Sequence, residues 1–286
     1  MQALNDLGDK CKNAEIAFFG GSFTAIDREY MLSLLNATKK YIDNFFGIRI
    51  STRADYIDNE ILDLLKSYNV TSIELGAQSM DDIVLEANHR GHTAKQVVDA
   101  SNLIKSKGFS LGLQMMTGLY MSDFEKDINT AKEFIKLKPD TVRIYPTVIL
   151  DNTCLGELYK AGVYKTYTLK ESVTLCSKLL LMFKKNDINV IRLGLHYSES
   201  LTESMLYNNY HPAFKELCEN EIFRNKIDEL LKNNIYQNNL EISVNPRSKS
   251  KFIGQDKSNI KYLNNLGFNV KIKDNDSLDI YDITIK

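Results

Sequence analysis

The chain has no tryptophan, only four prolines and four cysteines in 286 residues, and almost no net charge. Few prolines and fourteen glycines exclude a collagen-like or low-complexity chain, and four cysteines are too few for a disulfide scaffold. Lys and Arg total 36 against 37 Asp and Glu, so no global charge pulls the chain towards nucleic acid or an anionic membrane. No apolar run approaches the roughly 20 residues of a spanning helix; Ile16 to Phe19 is typical of the longest. The first fifteen residues, MQALNDLGDKCKNAE, hold no apolar core of a secretory signal, which predicts a cytoplasmic protein. Cys11, Cys154, Cys176 and Cys218 are widely spaced, with no CxxC or CxxxCxxC grouping, and read as free thiols in a reducing compartment.

What is present is a repeated alternation. Apolar runs start near residues 15, 48, 72, 109, 141 and 189, and each gap holds a segment of helical periodicity. The predicted helices cover 27–46, 57–68, 80–87, 93–107, 123–137 and 168–185, with Thr93 as a cap and Gly108 as a stop. Residues 147–167 read as a loop. Six βα units predict an α/β fold with a parallel sheet, and a full or partial (β/α) barrel fits better than a short doubly wound sheet. The pattern changes after residue 195. A helix from His211 to about Asn234, strands at 240–244, 268–273 and 278–285, and a helix at 258–266 predict a small α+β domain over 196–286, after a barrel domain over 1–195. NPRSKS at 245–250 reads as a loop.

Function in a βα barrel sits where strands end. The first strand ends in Gly20-Gly21-Ser22, where two glycines permit positive φ and close backbone approach to a ligand, or simply a tight turn. The second ends in Ser51-Thr52-Arg53-Ala54-Asp55, a set of ligand contacts or a helix cap. The third carries Glu74 inside an apolar run, which demands a partner for its carboxylate, and Gln78, whose amide suits a ribose. Asn88-His89-Arg90-Gly91-His92 is a polar loop in which Arg90 can fork onto a carboxylate or phosphate or lie on the surface, and the histidines read as structural. Gln114, Arg143 and Tyr145 alternate with apolar neighbours and so face a polar centre.

Taken in order, FFGGSFT, STRAD, IELGAQSMDDIVLEANHRGHT, GLQMMTGL and PDTVRIYPTVILDNTCLGELYKAGVYKTY resemble the radical S-adenosylmethionine (SAM) enzymes. The nearest subgroup is the radical core of the Elongator catalytic subunit and its bacterial relatives; the oxygen-independent coproporphyrinogen III oxidases are more distant. The resemblance spans about Glu15 to Tyr167. The tail resembles the C-terminal domain of the bacterial relatives and shows no acetyltransferase signature. It implies a partial (β/α)6 TIM-like barrel, here missing its first βα unit. It also implies a [4Fe–4S] cluster on a CxxxCxxC loop, and reductive cleavage of SAM to a 5′-deoxyadenosyl radical. By the same resemblance the backbone of Gly20 and Gly21 receives the SAM ammonium, Ser22 beside them is a further SAM-binding position, and Arg90 holds the SAM carboxylate. Gln78 and Gln114 lie near the ribose and methionyl moiety, Ser51 and Thr52 form a polar SAM contact, and Tyr145 stands on the substrate side.

The cluster motif is absent, and one displaced Cys11 cannot replace three converging thiolates. The expectation is a truncated protein, inactive without that loop, whose full form acts on tRNA or another RNA with a flavodoxin or ferredoxin as electron donor. The alternatives are a non-catalytic SAM- or RNA-binding remnant, and a cofactor-free barrel enzyme that uses Gly20-Gly21 for a phosphate. Arg247, Lys249, Lys251, Lys257 and Lys261 with Phe252 read as an ordinary solvated surface or, less favoured, as a phosphate-contacting patch. The strand at 15–19 is expected at an open sheet edge, favouring dimerisation or poor solubility.

Overall fold

The computed structural model describes residues 6–233 and 236–286. Two compact units interleave along the chain. One comprises residues 1–147, 162–166 and 183–192; the other comprises 148–161, 167–182 and 193–286.

The first unit is built on a six-stranded sheet whose spatial order is the chain order: β1 (Glu15–Phe18), β2 (Gly47–Thr52), β3 (Val70–Gln78), β4 (Ser110–Thr117), β5 (Thr141–Pro146) and β6 (Asn189–Leu193). The four pairings from β1 to β5 are parallel. The helices between them are α1 (Arg28–Thr38), α2 (Asn59–Ser67), α3 (Asp82–Ala87), α4 (Ala94–Ser106) and α5 (Phe124–Leu137). This is the partial (β/α)6 barrel that the alternation predicts.

Each of these five helices opens on a side chain that accepts from its first turn: Asp27, Asp58, Asp81, Thr93 and Asp123. Such a cap is worth about 0.5–2 kcal/mol, and it ends the preceding loop at a defined residue. Period-two alternation then sorts the strands. Ile48, Ile50, Ile73, Leu75, Leu111, Leu113, Met115, Val142 and Ile144 are all buried on the face the helices cover, with Leu35, Leu62, Leu65, Val97, Ile104 and Phe134 as the helical side of that core. Arg49, Ser51, Glu74, Gln114, Arg143 and Tyr145 take the other face.

That face is curved inward. Across it the Arg143 guanidinium of β5 lies 5.0 Å from the ring centre of Phe19, the residue after β1. Glu74 crosses β4 to reach Arg143 because Gly112, its register partner, has no side chain: a Cβ there would stand 2.6 Å from Glu74 Cγ.

The second unit contains a three-stranded sheet of order β8-β7-β9: β7 (Asn239–Val244) is central, β8 (Asn269–Asp274) lies parallel to it and β9 (Ile283–Ile285) antiparallel. Its helices include α6 (Cys154–Lys160), all but the end of α7 (Leu169–Lys185), α8 (Glu199–Glu203), α9 (Phe214–Asn233), α10 (Lys249–Ile253) and α11 (Ser258–Asn265). Its core holds Cys218, Phe223, Ile227, Ile242 and Phe252.

Several expected boundaries move for local reasons. The helix predicted to Phe46 ends at Thr38, whose hydroxyl bonds back to the Leu35 carbonyl, and a 3-10 turn at Ile42–Asn44 follows. The supposed loop before Tyr167 contains α6, started by Thr153 accepting from Gly156 N. NPRSKS is not a loop. Asn245 accepts from Arg247 N, Pro246 opens a 3-10 turn, and α10 follows. The expected end of the long helix at Asn234 lies outside the described residues. The last strand is Ile283–Ile285 rather than 278–285.

Candidate functional site

The carboxyl ends of β1 to β5 and the loops after them carry nearly every residue that the sequence singles out. After β1 the chain turns at Gly20 with φ +118°, and nothing lies within 4 Å of where a Cβ would be on Gly20 or Gly21. Both glycines are exposed, so their backbone groups are open to a ligand. Ser22 is half-buried, and no capping hydrogen bond from its side chain forms at the 3-10 turn that follows. Ser51 lies half-buried on the inner face beside Glu74. Its neighbour Thr52 points the other way: its hydroxyl meets Thr24 Oγ1 at 2.6 Å and accepts from Thr24 N, tying the β1 loop to the end of β2.

At the end of β3 the register slips between Leu75 and Gln78, and Gln78 takes φ +65°. The slip folds the Gln78 side chain back over Gly76, with Nε2 at 3.0 Å from the place of a Gly76 Cβ. Gln78 is 4% exposed, and its Oε1 has no hydrogen-bond partner. A buried amide oxygen without a partner costs about 1–3 kcal/mol unless a ligand supplies one.

Arg90 follows α3 on a tight loop. Its half-buried guanidinium makes no hydrogen bond or ion pair with any described residue. Burial, and then the nearby charge of Arg53, push its pKa below the ordinary guanidinium value. Arg53 itself is satisfied. It forks onto Asp55 at 2.9 and 2.6 Å, a pairing that holds its own pKa up, and donates to Gly91 O at 3.0 Å. The pair therefore presents one neutralised arginine and one free one. A free, partly desolvated guanidinium is an anion receptor.

On the strands beneath, charge is balanced. Glu15 Oε2 accepts from Arg49 Nε at 2.7 Å, and Glu74 Oε1 accepts from Arg49 Nη1 at 2.9 Å. Glu74 Oε2 accepts from Arg143 Nε at 2.7 Å, which completes a ladder from β1 to β5. Gln114 sits half-buried in register with Arg143, and Tyr145 one step further along in register with Met116, its phenol neighbouring the Arg143 guanidinium. Beyond β4 the turn is rigid: Gly118 N donates to Asp127 Oδ2 at 2.9 Å, and the Tyr164 hydroxyl donates to Gly118 O. Burial pushes the Tyr164 phenol up to about 12, so it stays a donor.

The structure thus places Ser51, Gln114 and Tyr145 on one inner face, Gly20, Gly21, Ser22 and Gln78 at the ends of β1 and β3, and Arg90 in the loop from α3 to α4 that His92 ties to Ala77. Thr52 alone of the candidates is turned to the covered side. Residue patterning overlooked Arg49, whose signal was its place between Ile48 and Ile50 on the inner row. It also undervalued Arg53 and His92 as neighbours of Arg90.

Of the basic patch of the second unit, Arg247, Lys257 and Lys261 are exposed, and the other members are engaged within the fold. Lys249 pairs with Asp274 at 3.0 Å, Lys251 pairs with Glu219 at 2.8 Å, and Phe252 is fully buried and cannot stack on a base.

Three groups of the first unit are left open to a ligand: the Arg90 guanidinium, the Gly20–Gly21 backbone and the orphaned Gln78 oxygen. An iron–sulfur cluster does not fit. Cys11 is the only cysteine of that unit and is buried; Cys154, Cys176 and Cys218 belong to the other. Among the described residues no group of three or more His, Cys, Asp or Glu side chains is placed to hold a metal ion. No helix of the described residues is long and apolar enough to cross a membrane.

Parallel strands whose carboxyl ends present open glycines, a free arginine and a row of polar side chains define a ligand-binding partial (β/α) barrel. Comparison with known proteins gives the family. Residues 3–131 match the Radical SAM superfamily, and residues 139–224 match the Radical_SAM C-terminal domain. The chain belongs to the radical SAM superfamily and is Elongator-like within it. It is 30% identical over 202 residues to human Elongator complex protein 3, across 63% of this chain and 37% of that one. It is 29% identical over 202 residues to the tRNA uridine(34) acetyltransferase of Methanocaldococcus jannaschii, across 62% of this chain and 37% of that protein. Among solved structures, the archaeal Methanocaldococcus infernus Elp3 with an N-terminal deletion shares the fold, with a TM-score of 0.66 at 21% identity over 79% of this chain and 57% of that one. The chain spans little more than a third of the length of the curated relatives.

Proposed function

We propose that this chain binds S-adenosylmethionine across the carboxyl edge of its parallel strands. Arg90 holds the carboxylate, the Gly20–Gly21 backbone and Ser22 receive the ammonium, and Gln78 accepts from a ribose hydroxyl. Gln114 and Ser51 line the approach, and Tyr145 faces the substrate. The observation that carries this reading is the pair of unsatisfied groups, a half-buried Arg90 guanidinium without a partner and a buried Gln78 oxygen without a donor. Each is costly alone, and one zwitterionic nucleoside ligand relieves both.

The reaction class of the superfamily is reductive cleavage of SAM to methionine and a 5′-deoxyadenosyl radical. RNA is the proposed substrate class, supported by the name of the archaeal tRNA-modifying relative. A flavodoxin or ferredoxin is the donor such a reaction needs. The residues of this chain supply no thiolate set for the [4Fe–4S] cluster, so the 286-residue chain binds SAM without cleaving it. The same absence supports a second reading, a non-catalytic SAM- or RNA-binding protein.

Titration calorimetry tests the binding. The wild-type chain takes up SAM, and Arg90→Gln weakens it by about tenfold or more, the worth of a charge-assisted hydrogen bond. No uptake by the wild type, or an unchanged affinity in Arg90→Gln, refutes the reading. Anaerobic iron–sulfur reconstitution separates the two activities: this chain stays colourless and yields no 5′-deoxyadenosine.

A further inference from the structure

The loop that carries Arg90 has almost no regular structure of its own. It passes from α3 to α4 through His89 at φ +51° and Gly91 at φ +72°, two left-handed residues within three positions. Such a loop is held only if its surroundings determine it. His89 N donates to Glu86 O and Arg90 N to Leu85 O, both at 3.0 Å, and three side chains add to these. Asn88 Nδ2 donates to Val84 O and to Tyr120 O in the loop after β4. Arg53 donates to Gly91 O, and it approaches so closely that a Cβ on Gly91 would stand 2.4 Å from its Nη2. The third contact is His92. Its Nδ1 lies 3.2 Å from the carbonyl of Arg90, and its Nε2 lies 3.1 Å from the carbonyl of Ala77. The ring is 6% exposed, so it is no surface residue that happens to touch the loop.

Ala77 and Arg90 are not arbitrary ends for this bridge. Ala77 immediately precedes Gln78, the bulged residue with the orphaned amide oxygen. Arg90 bears the free guanidinium. One imidazole therefore joins the backbones of the two unsatisfied groups. A neutral ring has one N–H and donates to one of these carbonyls, whereas the imidazolium donates to both.

We propose that His92 is a positioning residue, a clamp that anchors the Arg90 loop to the β3 bulge and so presents the Arg90 guanidinium, preformed, to the carboxylate of a nucleoside ligand. This rests on the SAM reading above. It adds that the histidine touches no ligand atom and acts through the placement of Arg90. Preformation matters because an unpinned arginine loses rotamer and loop entropy on binding, and the clamp removes part of that loss beforehand.

The test compares wild type, His92→Leu and His92→Gln by calorimetry with SAM and with decarboxylated SAM, which lacks only the carboxylate. His92→Leu is expected to weaken SAM by about tenfold while leaving decarboxylated SAM within about twofold, and His92→Gln, which keeps a side-chain donor, recovers part of the difference. Equal weakening towards both ligands, or no change towards either, overturns the clamp. Where His92→Leu does not fold, His92→Gln carries the comparison. If the wild type binds neither ligand, the SAM reading fails. Hydrogen exchange in the ligand-free protein then decides the clamp alone. Faster exchange over residues 88–92 in the His92 variants supports it, and unchanged exchange there overturns it.

Discussion

Glu74 is the residue whose removal should hurt the first unit most. It is 2% exposed and accepts three hydrogen bonds, one from Arg49 and two from Arg143. Deleting one partner of a buried ion pair costs about 3–5 kcal/mol, because the remaining charge is left desolvated. Here the lower end applies. Arg49 and Arg143 keep 17% and 19% of their side-chain surface in contact with solvent, and Arg49 retains Glu15. Glu74→Leu should therefore destabilise by about 3 kcal/mol, which for a unit of this size lowers the melting temperature by about 6–12 °C. The chain has two compact units, so native-state hydrogen exchange at the β3 and β4 amides is the appropriate assay, since it reports opening of this unit by itself. Adding Arg143→Met to Glu74→Leu should recover part of the loss, as an apolar replacement of both partners is far less costly than an unpaired charge. A Glu74→Leu protein within about 1 kcal/mol of wild type would refute the argument. So would a double variant no better than the single one.

Three further outcomes follow from the same geometry. Gly112→Ala forces a Cβ to within 2.6 Å of Glu74 Cγ and 3.0 Å of Thr141 Oγ1, and should cost about 1–3 kcal/mol by urea denaturation. The Glu15 carboxylate is held below its ordinary value of 4.5: its burial opposes ionisation, but hydrogen bonds from Ser72 and Thr71 and the Arg49 charge outweigh that. With the folded pKa below the unfolded one, its contribution is present above about pH 4.5 and fades as pH falls through the lowered value. Glu15→Gln should therefore flatten the acid limb of a stability–pH curve. β1 closes one end of the sheet order, with Ala17 and Phe19 exposed, so sedimentation should show concentration-dependent self-association that Ala17→Lys suppresses.

Amino-acid order alone determined the βα repeat, because alternation of period two and period 3.6 and the capping Asp and Thr residues are local properties. Thr93 marks a helix start without reference to anything distant, and Asp123 opens the helical periodicity that runs to Leu137. It also determined which side chains line the inner face, since Glu74, Gln114, Arg143 and Tyr145 interrupt apolar runs at alternate positions. The missing cysteine grouping was equally plain, and with it the lack of a cluster-binding set. Short helices such as α6 and α10 escaped, because a few residues carry too little periodicity and depend on caps at Thr153 and Asn245.

Only the tertiary structure decided which polar residues are satisfied. Arg53 and Arg90 look alike along the chain, yet the fold gives Asp55 to one and leaves the other free. Ser51 and Thr52 are neighbours, yet one faces the barrel interior and the other is tied to Thr24. Gln78 owes its exposed need for a donor to a register slip, and Glu74 owes its second arginine to the absence of a side chain at Gly112. Local pattern sets the face on which a side chain emerges. Whether it then finds a partner depends on residues brought near by strand register and sheet curvature, and those distances are a property of the folded chain alone.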